Sequence, residues 1–267
     1  LSFADPTPQG SMTAIVRGRI RNNRWVDQQV IYEAAPAFYV SSEAHYGSRL
    51  AFKGDYLYFS VGDRLQQDKA QDLSTPYGKI HRIFADGRIP KDNPFVARPG
   101  AVPTIWSYGH RNPQGLTVHP QTGEIWATEH GPRGGDELNL IVKGANYGWP
   151  AVTFGINYDG TIISHETKRD GMEPPKTHWT PSIGVSALTF YDGTRFGTWR
   201  NQLLVGSLAY QELRLIRIES GKVTRQDAVL QGMGRIRDVM LGPDGNVYVA
   251  LNFPNGMILR LMPFERS

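Results

Sequence analysis

The sequence predicts an all-β fold of the β-propeller type, built from repeated antiparallel sheets. Three observations carry that prediction. A phrase of apolar strand, turn and second apolar strand recurs along the chain, beginning at Leu50, Leu116, Leu188 and Val239. Each copy has turn chemistry at its centre, at Gly54-Asp55, Thr122-Gly123, Asp192-Gly193 and Asp244-Gly245, pairs that supply positive φ with little strain. Gly and Pro are abundant, 29 and 18 among 267 residues, and no convincing amphipathic helix longer than two turns can be traced. The copies lie further apart than the ~40–45 residues of a compact propeller repeat, so each carries long loops. A large β-sandwich would also use short strands. The same turn recurring at the same point of the phrase favours the propeller.

In chain order, Leu1-Ser-Phe-Ala4 reads as mid-strand and is followed by strand-like runs over residues 13–19 and 28–32, part of a blade without its inner hairpin. The first full copy covers 50–63, with a further strand at 79–84. The second covers 116–129, with a strand at 137–142. The third runs from 188 to 207, with a strand at 213–218, and the last covers 239–250, with a strand at 257–262. The expected architecture is a single domain over residues 1–267, of about four blades plus the partial one. A closed ring buries every sheet against its neighbours, so an open blade face at the N-terminus predicts self-association.

Composition excludes several functions. Hydrophobic residues make up 40% and aromatics 11%, too many for a disordered chain. No apolar run approaches the ~18 residues of a membrane helix. There is no Cys, which removes disulfides and thiolate metal ligands. A net charge of +4, with no run of five or six basic residues, is a weak argument for nucleic acid. The opening LSFADPTPQG has neither the basic nor the apolar region of a signal peptide, and a cleaved signal leaves no trace.

Four loop or strand-end clusters could carry chemistry. In the first, His45 precedes a strand and Asp63 follows that strand's partner, so a hairpin brings them near one another. A carboxylate beside an imidazole fixes its tautomer and raises its basicity, whereas a lone strand-end His commonly caps backbone. In the second, Arg111-Asn112 before Pro-Gln-Gly offers a fork of donors suited to a carboxylate or quinone oxygen; pairing of the Arg with a nearby Asp is the plainer reading. The third is Thr128-Glu129-His130-Gly131-Pro132-Arg133-Gly134-Gly135-Asp136-Glu137-Leu138-Asn139, where flexible backbone and an acidic pair offer the hard oxygens that suit Ca²⁺, or simply form a turn with surface acids. In the fourth, strand alternation puts Arg235 and Arg237 on one side, facing an anionic ligand or solvent. His81, His119, His165 and His178 lack metal-like spacing. Of the tryptophans Trp179, in His178-Trp-Thr-Pro-Ser182, is the candidate to wall a ligand pocket. No Gly-x-Ser-x-Gly elbow, His-Glu-x-x-His, P-loop or Gly-x-Gly-x-x-Gly is present.

These clusters, in this order, resemble the soluble quinoprotein glucose/sorbosone dehydrogenases, and the aldose sugar dehydrogenase branch most closely. The resemblance runs from about residue 1 to 263. It is most specific over Glu129-His-Gly-Pro-Arg-Gly-Gly-Asp-Glu-Leu-Asn139, Asn146-Tyr-Gly-Trp-Pro150 and Gly155-Ile-Asn-Tyr158. His45-Tyr-Gly-Ser-Arg-Leu50, Gly109-His-Arg-Asn-Pro-Gln-Gly115 and Arg235-Ile-Arg-Asp238 support it. It implies a six-bladed propeller, here incomplete at its start, with pyrroloquinoline quinone (PQQ) and Ca²⁺ as cofactors and a periplasmic or secreted location. By this resemblance His45 is the general base and Asp63 orients it. Arg111, Asn112, Arg235 and Arg237 hold the acidic quinone, with His130, Asp136 and Trp179 beside it. The carbonyls of Gly131 and Pro132 hold one Ca²⁺, and Glu137 with the Tyr147 carbonyl holds a further, structural one. The implied reaction oxidises the C1 hydroxyl of an aldose to a lactone, with an external electron acceptor.

Two departures bear on the cofactor. The family has a further stretch before the position of Leu1, and it tends to place a Lys near Ser207-Leu208, where this chain continues with Ala209. Both predict weaker PQQ binding. A propeller that binds Ca²⁺ and a sugar or protein without catalysis, and a Ca²⁺-dependent lactonase-like hydrolase, are the competing functions.

Overall fold

The computed structural model describes residues 1–252 and 256–264. Its regular structure is all strand apart from three single-turn 3₁₀ segments, and among the described residues no helix is long and apolar enough to cross a membrane. The chain divides into two compact units. The first comprises residues 1–113, 142–153 and 164–173; the second comprises 114–141, 154–163 and 174–267.

The first unit holds two antiparallel sheets. One is β1 (Ser2–Thr7), β2 (Gly10–Arg21) and β3 (Arg24–Tyr32); the other is β4 (Leu50–Lys53), β5 (Tyr56–Val61), β6 (Lys79–Phe84) and β7 (Ile105–Tyr108). β2 and β3 are joined by Asn22-Asn23, both at positive φ (51° and 59°). Two such residues in a two-residue loop match the strand twist, and Asn tolerates the left-handed region. Met12 and Ile15 of β2 pack with Leu57, Phe59, Val61 and Ile83 in one buried cluster, so the two sheets lie face to face.

The second unit holds three more sheets. The first is β8 (Pro113–Val118, entering from the first unit at Pro113), β9 (Ile125–Glu129), β10 (Asp136–Ile141) and β11 (Thr177–Trp179). The next is β12 (Val185–Phe190), β13 (Leu203–Ser207), β14 (Glu212–Glu219) and β15 (Lys222–Gln231). The last is β16 (Ile236–Leu241), β17 (Val247–Leu251) and β18 (Ile258–Leu261). β13 is buried on both faces. Leu203 and Val205 join a cluster with Trp126, Leu138 and Phe190, while Leu204 points the other way into a cluster with Leu215, Val239 and Val249. That period of two explains why Leu-Leu-Val-Gly-Ser reads as a continuous apolar run and not as an alternation. Each fully buried Leu or Val contributes about 1.5–3 kcal/mol of transfer free energy.

The fold is thus all-β and propeller-like, with five blades made of consecutive antiparallel strands. The sandwich alternative fails, because the strands form five sequential sheets and not two. The initial segment forms a three-stranded sheet. Strands β7, β11 and β15 were not anticipated. β7 and β11 are too short to show periodicity, and β15 (Lys-Val-Thr-Arg-Gln-Asp-Ala-Val-Leu-Gln) is an outer strand with little to bury. β10 and β11 pair in register, Asp136 opposite Trp179, although the chain between them runs from 142 to 176.

Candidate functional site

In the first unit, β5 ends at Val61 and the chain turns through Gly62-Asp63-Arg64-Leu65. Arg64 and Leu65 are both left-handed, at φ 53° and 62°. That turn swings the Leu65 N–H back onto Asp63 Oδ1 (3.0 Å). The Asp63 N–H donates to the Arg111 carbonyl (2.7 Å). His45, itself at φ 55°, sits on the loop that precedes β4. Its Nδ1 lies 2.6 Å from Asp63 Oδ1. An ionised carboxylate only accepts, so the ring proton is assigned to Nδ1 and Nε2 carries the lone pair. Trp149 Nε1–H donates to the other oxygen, Oδ2, at 2.8 Å. Asp63 is 1% exposed, while the His45 side chain keeps 14%. A buried, fully engaged carboxylate thus orients an imidazole that still reaches solvent.

Close backbone approach makes this geometry possible. A Cβ on Gly62 would stand 2.2 Å from the His45 carbonyl oxygen, so only glycine fits there. Asn112 Oδ1 accepts from the Gly47 N–H (3.2 Å), tying the second sequence cluster to the first. The Arg111 guanidinium lies 5.4 Å from the centroid of the Trp149 ring, in cation–π range. Tyr147 is buried, stacked on His110 with centroids 4.5 Å apart, and its hydroxyl accepts from the Val142 N–H.

In the second unit, the segment between β9 and β10 is fixed by Asp136. Its Oδ1 accepts from the Gly131 N–H (3.0 Å), and its Oδ2 accepts from the N–H groups of Gly184 (2.6 Å) and Val185 (3.0 Å). Asp136 therefore holds main chain from two sheets. Gly131 has no room for a side chain: a Cβ would lie 2.3 Å from the Gly134 oxygen and from the Gly135 carbonyl carbon and oxygen. His130 Nε2 donates to the Val185 carbonyl at 2.5 Å. The Ser182 hydroxyl reaches the Pro132 carbonyl at 3.5 Å. Trp179 belongs to the apolar core, and its indole N–H donates to Gln226 Oε1 (2.9 Å). Arg235 is exposed and Arg237 partly buried, flanking the buried Ile236, and Arg237 Nη1 donates to Gln114 Oε1 (3.1 Å).

β9 and β10 place Glu129 directly opposite Glu137. Asn139 donates through one Nδ2 to both, at 2.9 Å to Glu129 Oε1 and 3.1 Å to Glu137 Oε2. Burial, and next the facing charge of Glu129, push the Glu137 carboxyl up to about 8. Like charges opposed on adjacent strands are unfavourable. A shared proton or a bound cation relieves them. Among the described residues no three His, Asp or Glu side chains gather as a metal site. Main-chain carbonyls and a carboxylate pair are the oxygen donors this segment offers, a set of the kind that suits a hard cation.

Comparison with known proteins decides what this arrangement belongs to. The family model for glucose/sorbosone dehydrogenases matches residues 1–260. The chain belongs to the glucose/sorbosone dehydrogenase family. It is 40% identical over 271 residues to aldose sugar dehydrogenase YliI of Escherichia coli K12, a match covering 98% of this chain and 72% of that protein. Its structure superposes on the apo crystal structure of the soluble aldose sugar dehydrogenase from Escherichia coli with a TM-score of 0.92 at 37% identity, covering 97% of this chain and 76% of that one. It is 30% identical to quinoprotein glucose dehydrogenase B of Acinetobacter calcoaceticus, over 82% of this chain and 61% of that protein.

In this glucose/sorbosone dehydrogenase, three participants escaped the sequence reading. For Trp149, no local signal ties its indole to a carboxylate 86 positions earlier. Glu129 faces Glu137 only once β9 and β10 are paired. Arg64 adjoins Asp63 but reads as an ordinary surface cation; it is 0% exposed.

Proposed function

We propose that this chain is a PQQ- and Ca²⁺-dependent aldose sugar dehydrogenase that oxidises the C1 hydroxyl of a sugar to the lactone. The observation that carries the reading is the buried Asp63 carboxylate 2.6 Å from His45 Nδ1. In the neutral ring this bond takes the Nδ1 proton and leaves the lone pair on Nε2, and the His45 side chain keeps 14% exposure. Family membership, and the names of relatives as aldose sugar and quinoprotein glucose dehydrogenases, support the substrate class and the cofactor.

The donor set suits the proposed groups. PQQ carries three carboxylates, and Arg111, Asn112, Arg235 and Arg237 are the proposed partners, guanidiniums being matched to planar oxyanions. The carbonyls of Gly131 and Pro132 are the proposed Ca²⁺ ligands, on a loop whose glycine admits no side chain. Glu137 and the Tyr147 carbonyl are proposed to hold a structural Ca²⁺, a role supported by the facing carboxylates of Glu129 and Glu137. Asp136 and His130 position the Gly131 loop.

PQQ, when bound, supplies a hydride acceptor, and Ca²⁺ supplies Lewis acidity toward its oxygens. The chain's own part is the proton. His45 Nε2 accepts the proton of the C1 hydroxyl, and Asp63 stabilises the imidazolium that forms. Loss of that proton and of the C1 hydride leaves the lactone, and an external acceptor takes up the two electrons. The reading also puts the protein in the periplasm or outside the cell.

The test is to load the purified protein with PQQ and CaCl₂ and follow glucose-dependent dye reduction. The expected result is turnover that needs both additions and is lost in His45→Gln while the PQQ absorbance change persists. No sugar-dependent reduction in the loaded protein overturns the reading, and lactone hydrolysis without PQQ points to the hydrolase instead.

A further inference from the structure

The turn that carries Asp63 also carries an arginine whose entire side chain is buried. Arg64 is 0% exposed, in a chain where most guanidiniums reach solvent. Its Nη1 donates to the Ala44 carbonyl. Its Nη2 donates to the Ser42 carbonyl, and to the Ser11 carbonyl and hydroxyl, both at 3.2 Å. The guanidinium plane lies over the Tyr46 ring, 3.6 Å from its centroid. Ser42, Ala44 and Tyr46 bracket His45 on both sides. Tyr46 is held in turn: its hydroxyl is 2.6 Å from Ser11 Oγ, and its carbonyl accepts from Thr13 Oγ1 at 2.7 Å.

The arrangement has a cost. A guanidinium taken out of water is expensive unless its donors find acceptors. Arg64 also occupies left-handed backbone next to a second left-handed non-glycine residue. A plain apolar residue would fill the same space without the desolvation cost. What the guanidinium adds is a planar fork that grips two carbonyls of one short loop at once, which a Lys point charge cannot reproduce.

We propose that Arg64 is the positioning residue for His45. The dipeptide Asp63-Arg64 holds His45 twice, through the imidazole by the Asp63 carboxylate and through the main chain by the Arg64 fork. The ring orientation is fixed relative to the same short turn that supplies its orienting carboxylate. This rests on the proposed role of His45 as the base; the structural claim that Arg64 sets the His45–Asp63 hydrogen bond does not.

The test separates the two. Protein labelled with ¹⁵N in its histidines, without added cofactor, is expected to show a downfield Nδ1–H resonance from the bond to Asp63, assigned by its loss in His45→Gln. In Arg64→Lys, which keeps the charge and loses the fork, this resonance broadens or moves upfield while the far-UV circular dichroism is retained. In the PQQ- and Ca²⁺-loaded enzyme kcat falls about 10- to 100-fold, the scale of a misplaced catalytic group, with KM for the sugar within about twofold. Should Arg64→Lys not fold, Ser11→Ala, which removes one acceptor of the fork, carries the test with a smaller shift in the same direction. An unchanged resonance and an unchanged kcat in the folded variant overturn the proposal. A parent without sugar oxidation whose resonance is nonetheless lost in Arg64→Lys sinks the proposed activity and leaves the positioning role standing.

Discussion

Asp63→Asn isolates the charge on the orienting carboxylate. Three donors converge on Asp63: His45 Nδ1–H at 2.6 Å and the Leu65 N–H at 3.0 Å on Oδ1, and the Trp149 indole N–H at 2.8 Å on Oδ2. Asparagine offers one oxygen in place of two. The better of its two orientations keeps the oxygen toward His45 and Leu65, and turns the NH₂ group toward the indole N–H, donor against donor. One charge-assisted bond is lost and a buried donor is stranded, at a cost of about 1.5–3 kcal/mol. For a chain of this length that lowers the melting midpoint by roughly 3–10 °C. The catalytic loss is larger, because the imidazolium formed on proton transfer has no anion beside it; kcat falls ~10²–10⁴-fold. Differential scanning fluorimetry gives the first quantity, and dye reduction with glucose, PQQ and CaCl₂ gives the second. A kcat within about threefold of the parent, with unaltered melting, refutes the reasoning.

Three other outcomes follow from the structure. His81 is fully buried, with its ring nitrogens on Thr104 Oγ1 and the Pro76 carbonyl, and burial first of all pulls its pKa down to about 3 from 6.5. The unfolded chain binds the extra proton between those values, so stability is full above pH 6.5 and declines by about 1.4 kcal/mol per pH unit on acidification toward 3; urea midpoints across this range should lose that component in His81→Gln. Glu137 has a raised pKa of about 8, so near neutral pH the folded chain holds a proton that the unfolded chain has released, and stability is lower there than below pH 4.5. Glu137→Gln should therefore melt higher than the parent in EDTA and gain less from added CaCl₂, and an equal Ca²⁺ response in both argues against Glu137 as a ligand. Gly131→Ala drives a Cβ to 2.3 Å from the Gly134 oxygen and should lower both melting midpoint and Ca²⁺ affinity, whereas Gly197→Ala, with open space around it, serves as a control within about 0.5 kcal/mol of the parent.

The parts of the fold legible in the sequence were those where local chemistry and tertiary burial agree. Lys53-Gly54-Asp55-Tyr56 is both a hairpin turn and a register point, Lys53 opposite Tyr56, so a local reading suffices. The run at β13 could be read as a strand from its apolarity alone, but its burial on both faces needed its neighbours. The polar β15 carries no such signal. At the site, His45 and Asp63 could be paired from hairpin logic, because one strand pair separates them. Trp149 could not, since it reaches Asp63 from a distant loop. Arg64 was hidden for a different reason: a cation beside an acid ordinarily signals solvent, and only the carbonyl cage around it reverses that meaning.

The pairing of β10 with β11 across the excursion from 142 to 176 has an evolutionary reading. The entropy of closing a loop rises only logarithmically, so some 35 residues cost roughly 2 kcal/mol more than a tight connection. Parts of that excursion away from Tyr147 and Trp149 could therefore lengthen or shorten while the three-residue clasp at its base still forms.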